Sequence, residues 1–182
     1  MSVYEFPLDL PVPVDDGACA HLEGTAAPAL VLESSMGPVD LVAFGAELGV
    51  LYIYPRTGHP DHEVPDGWNE IPGARGCTPQ SCGFRDRAYE LRVAGVKVAG
   101  LSSQPLEAQV ELSERLGIVY PVISDPELAL RDALNLPTFE FEGAKLYKRV
   151  TLVLRDGLIE KVFYPVFPPD RNAEEVAAWL AS

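Results

Sequence analysis

The chain has 182 residues, 47% of them hydrophobic and 23% charged, with a net charge of −13 at pH 7. This length and balance suit one soluble globular domain, residues 1–182, with a core of its own. The negative charge excludes bulk attraction to nucleic acid or to an anionic membrane.

Residues 1–28 are rich in Pro, Asp and Gly and read as an extended N-terminal arm over the surface. The opening MSVYEFPLDLPVPVDD has no basic start and no unbroken apolar run, so no signal peptide is expected, and a cytoplasmic location follows. No apolar run reaches the roughly 18 residues of a membrane span. A short edge strand is expected near residues 30–32. Residues 50–54, VLYIY, are a continuous apolar run closed by Pro55, the pattern of a strand buried in a parallel sheet.

A connection rich in Gly, Pro and His then runs from 55 to 76. A loop this long inside a compact domain is commonly functional. Residues 78–94 read as a helix, with Pro79 in its first turn and Gly95 as its stop. Ser81, Phe84, Ala88 and Leu91 give it one apolar face, with Cys77 at the upper end. Residues 96–101 form the next strand, and strand–helix–strand makes a parallel pair.

A helix over 105–116 follows, with Ser103 as cap and Gly117 as stop. Residues 120–123 are a short strand. Asp125 and Pro126 read as the cap and first residue of a helix ending near Asn135. Residues 149–154 and 158–164 form a hairpin through Asp156-Gly157. The chain closes on a helix over 172–180, with Asn172 as cap and Glu175 completing a capping box. The order fits an α/β fold of thioredoxin type, a mixed central sheet flanked by helices.

Three cysteines are present, Cys19, Cys77 and Cys82. In a reducing compartment a C-x4-C pair suggests redox chemistry or metal binding before structural stapling. Cys77 follows a buried strand and opens a helix, where the partial positive charge and unpaired N–H groups favour a thiolate. Within an intact helix, Cα atoms five residues apart are roughly 8–9 Å apart. A disulfide needs less than about 7 Å, so a bridge requires the first turns to unwind. Two inert helical cysteines remain the alternative on spacing alone. The spacing is not a usual zinc pattern, and no C-x-x-C motif is present.

The segments YIYP at 52–55 and GCTPQSCGFRD at 76–86 resemble the active-site region of the peroxiredoxins, in the bacterioferritin comigratory protein or peroxiredoxin Q branch. The similarity continues through VAGLS at 98–102, PVISD at 121–125 and RVTLVL at 149–154. It implies a thioredoxin-like fold, a hydroperoxide substrate and a thioredoxin-like reductant, with no cofactor and no metal. It implies that Cys77 is the peroxidatic cysteine, Cys82 the resolving cysteine and Arg149 the active-site arginine. A pair within one chain needs no second subunit, so a monomer or weak dimer is expected. Two rival readings use the same thiols: a redox sensor that switches a partner protein, and a thioredoxin-fold module with inert cysteines.

The chain departs from the family pattern at two places. Ala74 stands where the family has a hydroxyl residue three before the peroxidatic cysteine, and residues 58–75 form an inserted active-site loop. Thr57 is the expected replacement hydroxyl, with Thr78 as a competitor better suited to capping the helix. The loop carries His59, Asp61, His62 and Glu63, read as a solvated patch before a metal site. Trp68 is expected either to anchor the loop or to wall the peroxide pocket, anchoring being preferred. Cys19 is expected to be a surface or half-buried thiol, with a second resolving role as the alternative.

Overall fold

The run at 50–54 becomes the centre of a five-stranded sheet in the computed structural model, which describes residues 6–7 and 9–182. Residues 1–5 and 8, the start of the expected arm, lie outside the described residues.

The elements in order are β1 Val31–Leu32, β2 Val39–Asp40, α1 Leu41–Gly45, β3 Leu48–Ile53, α2 Cys77–Val93, β4 Lys97–Ser102, α3 Leu106–Leu116 and β5 Val122–Ser124. Then come α4 Ala129–Leu134, β6 Thr138–Phe141, β7 Ala144–Tyr147, β8 Val150–Arg155, β9 Leu158–Phe163 and α5 Asn172–Leu180. The main sheet has the order β5-β4-β3-β8-β9. β3, β4 and β5 run parallel, while β8 is antiparallel to β3 and to β9. This is the mixed sheet that the strand order leads one to expect.

Alternation along the strands divides the core in two. Leu51, Ile53, Ala99, Leu101, Leu152 and Leu154 face one side and pack with residues of α1 and α4. Val50, Tyr52, Tyr54, Val98 and Val153 face the other and pack with α2, α3 and α5. Both faces of the central strands are covered, which explains their unbroken apolar sequence. Among the described residues, no helix is long and apolar enough to cross a membrane.

The N-terminal segment does more than lie on the surface. Leu22 is fully buried, and Cys19 sits in the core beside it. The Gly24 N–H donates to Ile159, and the Ala27 N–H to Gly157, covering the β9 edge. Ser34 bridges to Ile123, covering the β5 edge. Part of each exposed row of strand hydrogen-bonding groups is thereby paired.

Three expected caps are corrected. Ser103 does not cap α3, which starts after Pro105 with no side-chain cap; its hydroxyl donates to the Lys145 carbonyl at 3.3 Å. Asp125 does bond the start of α4, accepting from the Ala129 and Leu130 N–H groups at 2.8 and 2.9 Å. The helix begins only at Ala129, because residues 126–128 make a turn that ends with Leu128 at φ 57°. Asn172 caps nothing: α5 starts after Arg171 with no side-chain cap, and the Asn172 side chain is buried toward α2. The hairpin β6–β7 was absent from the sequence reading. Its two-residue turn is Glu142-Gly143, both at positive φ, and Glu lacks the turn signature that marks Asp156-Gly157.

Candidate active site

The site lies where the carboxyl end of β3, the start of α2 and the start of β8 meet. The register pairs Ile53 with Val150. Arg149, the residue before β8, therefore lies beside the end of β3, where the inserted loop departs. Gly76 precedes α2 at φ 103°, and a Cβ there would overlap Pro169 and Phe6. Glycine is thus required both by conformation and by space. Cys77 is the first residue of the helix, and Pro79 falls at a position with no intrahelical acceptor for the N–H it lacks.

Arg149 organises this junction. Its guanidinium is buried, and Nη2 donates to Cys77 Sγ at 3.2 Å. The same nitrogen donates to the carbonyls of Ala74 (3.1 Å) and Arg75 (3.2 Å), and Nε donates to Gly73 at 3.3 Å. Nη1 donates to Gln80 Oε1. A fixed cation is thus held against the sulfur by three loop carbonyls and one helix side chain. The Cys77 thiol donates in turn to the Ala74 carbonyl at 3.6 Å. The Ala74 methyl packs with Trp68 and Leu146. A hydroxyl in its place would lie in an apolar cluster, so Ala suits the position.

Above the sulfur is a cleft of about 40 Å³ lined by Arg56, Val64, Trp68, Arg75, Cys77 and Thr78 among others. A bound water needs roughly 10–15 Å³ of such space. The cleft therefore has room for a small polar group beside the sulfur. Thr78 lies in this wall beside Cys77, inside the helix, and makes no cap bond. Thr57 is tied to Gln104. Its hydroxyl donates to Gln104 Oε1 at 3.1 Å, its N–H to the same oxygen at 2.9 Å, and Gln104 returns a bond to its carbonyl. The Thr57 hydroxyl, expected to replace the family hydroxyl, is thus engaged with Gln104.

Trp68 both anchors the loop and walls the cleft. Its ring meets Phe141 edge-on at 4.9 Å and Phe139 at 6.1 Å, both on the unforeseen hairpin. The Arg56 guanidinium lies 5.0 Å over it. His59 and His62 stand 5.3 Å apart, and His59 faces Asp61 and Glu111. Among the described residues, no group of three or more His, Cys, Asp or Glu could hold a metal ion.

All three cysteines are unpaired. Cys82 is half-buried in α2, and burial pushes its thiol up against the opposing pull of Arg85. Cys19 belongs to the core on the opposite side of the sheet from Cys77. Burial, with Asp16 and Asp15 nearby, pushes its thiol up to about 12. It is a core thiol rather than a surface one.

Sequence reasoning missed two buried members of the site. Gln80 Nε2 donates to Asn172 Oδ1 at 2.9 Å, and Thr151 Oγ1 donates to the same oxygen at 2.7 Å. Gln80 had a local signal, being one helical turn from Cys77. Asn172 had none, since it is 92 positions from Gln80 along the chain.

The family model for redoxins matches residues 22–178 of this chain. The chloroplastic peroxiredoxin Q of Suaeda salsa is 27% identical over 161 residues, 88% of this chain and 68% of that protein. The chloroplastic peroxiredoxin Q of Sedum lineare is 28% identical over 162 residues, 88% of this chain and 78% of that protein. Among solved structures, the peroxidoxin BcpB of Mycobacterium tuberculosis is similar at a TM-score of 0.71 and 25% identity, over 88% of this chain and 97% of that one.

Proposed function

The chain belongs to the redoxin family, on its peroxiredoxin Q and bacterioferritin comigratory protein branch, and from that premise we propose a thiol peroxidase cycle run by Cys77, Cys82 and Arg149. The observation that carries it is the buried Arg149 Nη2 at 3.2 Å from Cys77 Sγ, at the foot of a small cleft. A cation in that position stabilises the thiolate and donates to a peroxide oxygen.

The cycle has three steps. The Cys77 thiolate attacks the nearer peroxide oxygen; an S–O bond forms, the O–O bond breaks, and the leaving oxygen takes one proton to depart as water or alcohol. Sulfur loses two electrons and becomes a sulfenic acid. The first turns of α2 then unwind, Cys82 attacks Cys77, a disulfide forms and water leaves. A thioredoxin-like dithiol reopens the disulfide by exchange and carries the oxidation away. Thr78 is the hydroxyl best placed to orient the peroxide. The cleft above Cys77 gives a hydroperoxide access to the sulfur. No second subunit enters the cycle, which suits a monomer or weak dimer, and a reducing cytoplasm suits a thiol-driven cycle.

The test is peroxide consumption coupled to a thioredoxin system, with mass spectrometry after one equivalent of peroxide. Loss of consumption in Cys77→Ser and a Cys77–Cys82 link in the wild type are expected. An unchanged rate in Cys77→Ser would overturn the assignment.

A further inference from the structure

The direction of the hydrogen bonds behind Arg149 is forced. A guanidinium only donates, so Gln80 must accept through Oε1 and donate through Nε2, and Asn172 must accept through Oδ1. Thr151 then donates to the same Asn172 oxygen. Gln80, Thr151 and Asn172 are each fully buried, and Asn172 Nδ2 has no partner among the described residues. Asn172 therefore spends its acceptor on holding Gln80, while its buried donor is unmatched among those residues. An unpaired buried donor is costly, and α5 needs no amide at that position for capping.

The same segment bears on α2 at three points. A Cβ on Gly76 would overlap Pro169, and one on Gly83 would lie 3.2 Å from the Asp170 carbonyl and 3.5 Å from Ala173. Gln80 meets Asn172 between them. Positions 76, 80 and 83 share one helical face, and they bracket the stretch from Cys77 to Cys82. The segment from Pro169 to Ala173 thus covers the two turns that must unwind for the disulfide to form.

We propose that Asn172 is a positioning residue with two effects: through Gln80 it holds Arg149 on Cys77, and by the same bond it latches the first turns of α2 to the C-terminal segment. The inference rests on the peroxidase cycle above and assigns its control to a helix that bears no cysteine. While the latch holds, Arg149 faces the sulfur and peroxide attack is fast. Disulfide formation must break the Gln80–Asn172 bond and lift this face of α2 off residues 169–173. Latch strength then divides Cys77 sulfenic acid between two fates. One is attack by Cys82, releasing water. The other is reaction with a second peroxide, which adds one oxygen to give sulfinic acid and releases the corresponding alcohol or water.

The experiment mixes reduced protein with hydrogen peroxide, quenches at set times and counts sulfenic acid, disulfide and sulfinic acid by mass spectrometry. Asn172→Ala is compared with Val176→Ala, a buried change in the same helix that loosens α5 without touching the network. In Asn172→Ala, attack by peroxide falls and disulfide formation rises, each by about fivefold, the worth of one neutral hydrogen bond, and less sulfinic acid accumulates. Val176→Ala speeds disulfide formation alone. An unchanged attack rate in Asn172→Ala, or an equal fall in Val176→Ala, overturns the positioning role. Unaltered disulfide formation in Asn172→Ala overturns the latch. Hydrogen exchange on the wild type gives a reading that needs no variant: peptides from α2 and from 169–176 lose protection together on oxidation, and loss confined to α2 overturns the latch. A wild type whose Cys77 is never oxidised overturns the peroxidase reading itself, and that outcome is visible before any variant is compared.

Discussion

Arg149 reaches Cys77 from 72 positions away in the sequence, its Nη2 at 3.2 Å from the sulfur, and the same guanidinium bonds the carbonyls of Gly73, Ala74 and Arg75. One side chain thus fixes both the charge at the nucleophile and the path of the loop leading into it. Arg149→Met is expected to slow sulfenic acid formation by about 10²–10³-fold, the usual effect of removing a preorganised donor. It should also destabilise the fold by about 1–3 kcal/mol for a buried acceptor left without its donor. Stopped-flow oxidation and thermal unfolding measure the two. Arg149→Lys restores charge but not the fork of bonds, so recovery of the full rate by lysine would sink the geometric part of the argument.

Thr78 and Thr57 separate cleanly. Thr78 lines the cleft, so Thr78→Val should cut the second-order rate with hydrogen peroxide by about tenfold, the value of one hydrogen bond to a developing charge. The Thr57 hydroxyl is tied to Gln104, so Thr57→Val should keep the rate within about twofold and lose about 1 kcal/mol of stability. The reverse pattern would return the orienting hydroxyl to Thr57.

Cys82→Ser should still reduce one equivalent of peroxide and then stop, with Cys77 held as sulfenic acid. Cys19 cannot take over, because it is buried in the core on the other side of the sheet. Sustained thioredoxin-coupled turnover in Cys82→Ser would remove Cys82 from the cycle.

The pH dependence of the second step follows from the raised ionisation of Cys82, caused first by burial and opposed by Arg85. The wound helix holds this proton more tightly than the unwound one. Below the ordinary thiol value of 9.0 both forms keep the proton, and the helix retains its full stability. As pH rises past that value the unwound form ionises first, and that part of the wound form's stability is lost. Disulfide formation from the sulfenic acid should therefore accelerate between roughly pH 8 and 10, where unperturbed thiols titrate. A flat profile over that window, measured by quench and mass spectrometry, would take unwinding out of the step.

Trp68 tests the inserted loop. Its burial against Phe139, Phe141 and Arg56 makes Trp68→Ala cost about 3–5 kcal/mol. The opened cleft should lower KM for a bulky hydroperoxide such as cumene hydroperoxide more than for hydrogen peroxide. An unchanged KM ratio would show that the tryptophan anchors the loop without shaping the entrance.

The sequence by itself determined the central strand at 50–54, the helix carrying both cysteines, the hairpin at Asp156-Gly157 and the conflict between helix geometry and a Cys77–Cys82 bond. These rest on local spacing: apolar alternation, helical period and turn chemistry all act within a few residues. It also pointed to Arg149 through the family resemblance. What the tertiary structure decided concerns partners far apart in the chain. The β3–β8 register brought Arg149 to the end of β3. The packing of residues 169–173 on α2 turned Asn172 from an expected cap into the far end of the Arg149 network. Thr57 was claimed by Gln104, and Cys19 went into the core. A side chain's hydrogen-bond partner depends on which buried donors and acceptors remain unpaired once the sheet has closed, and no local pattern records that.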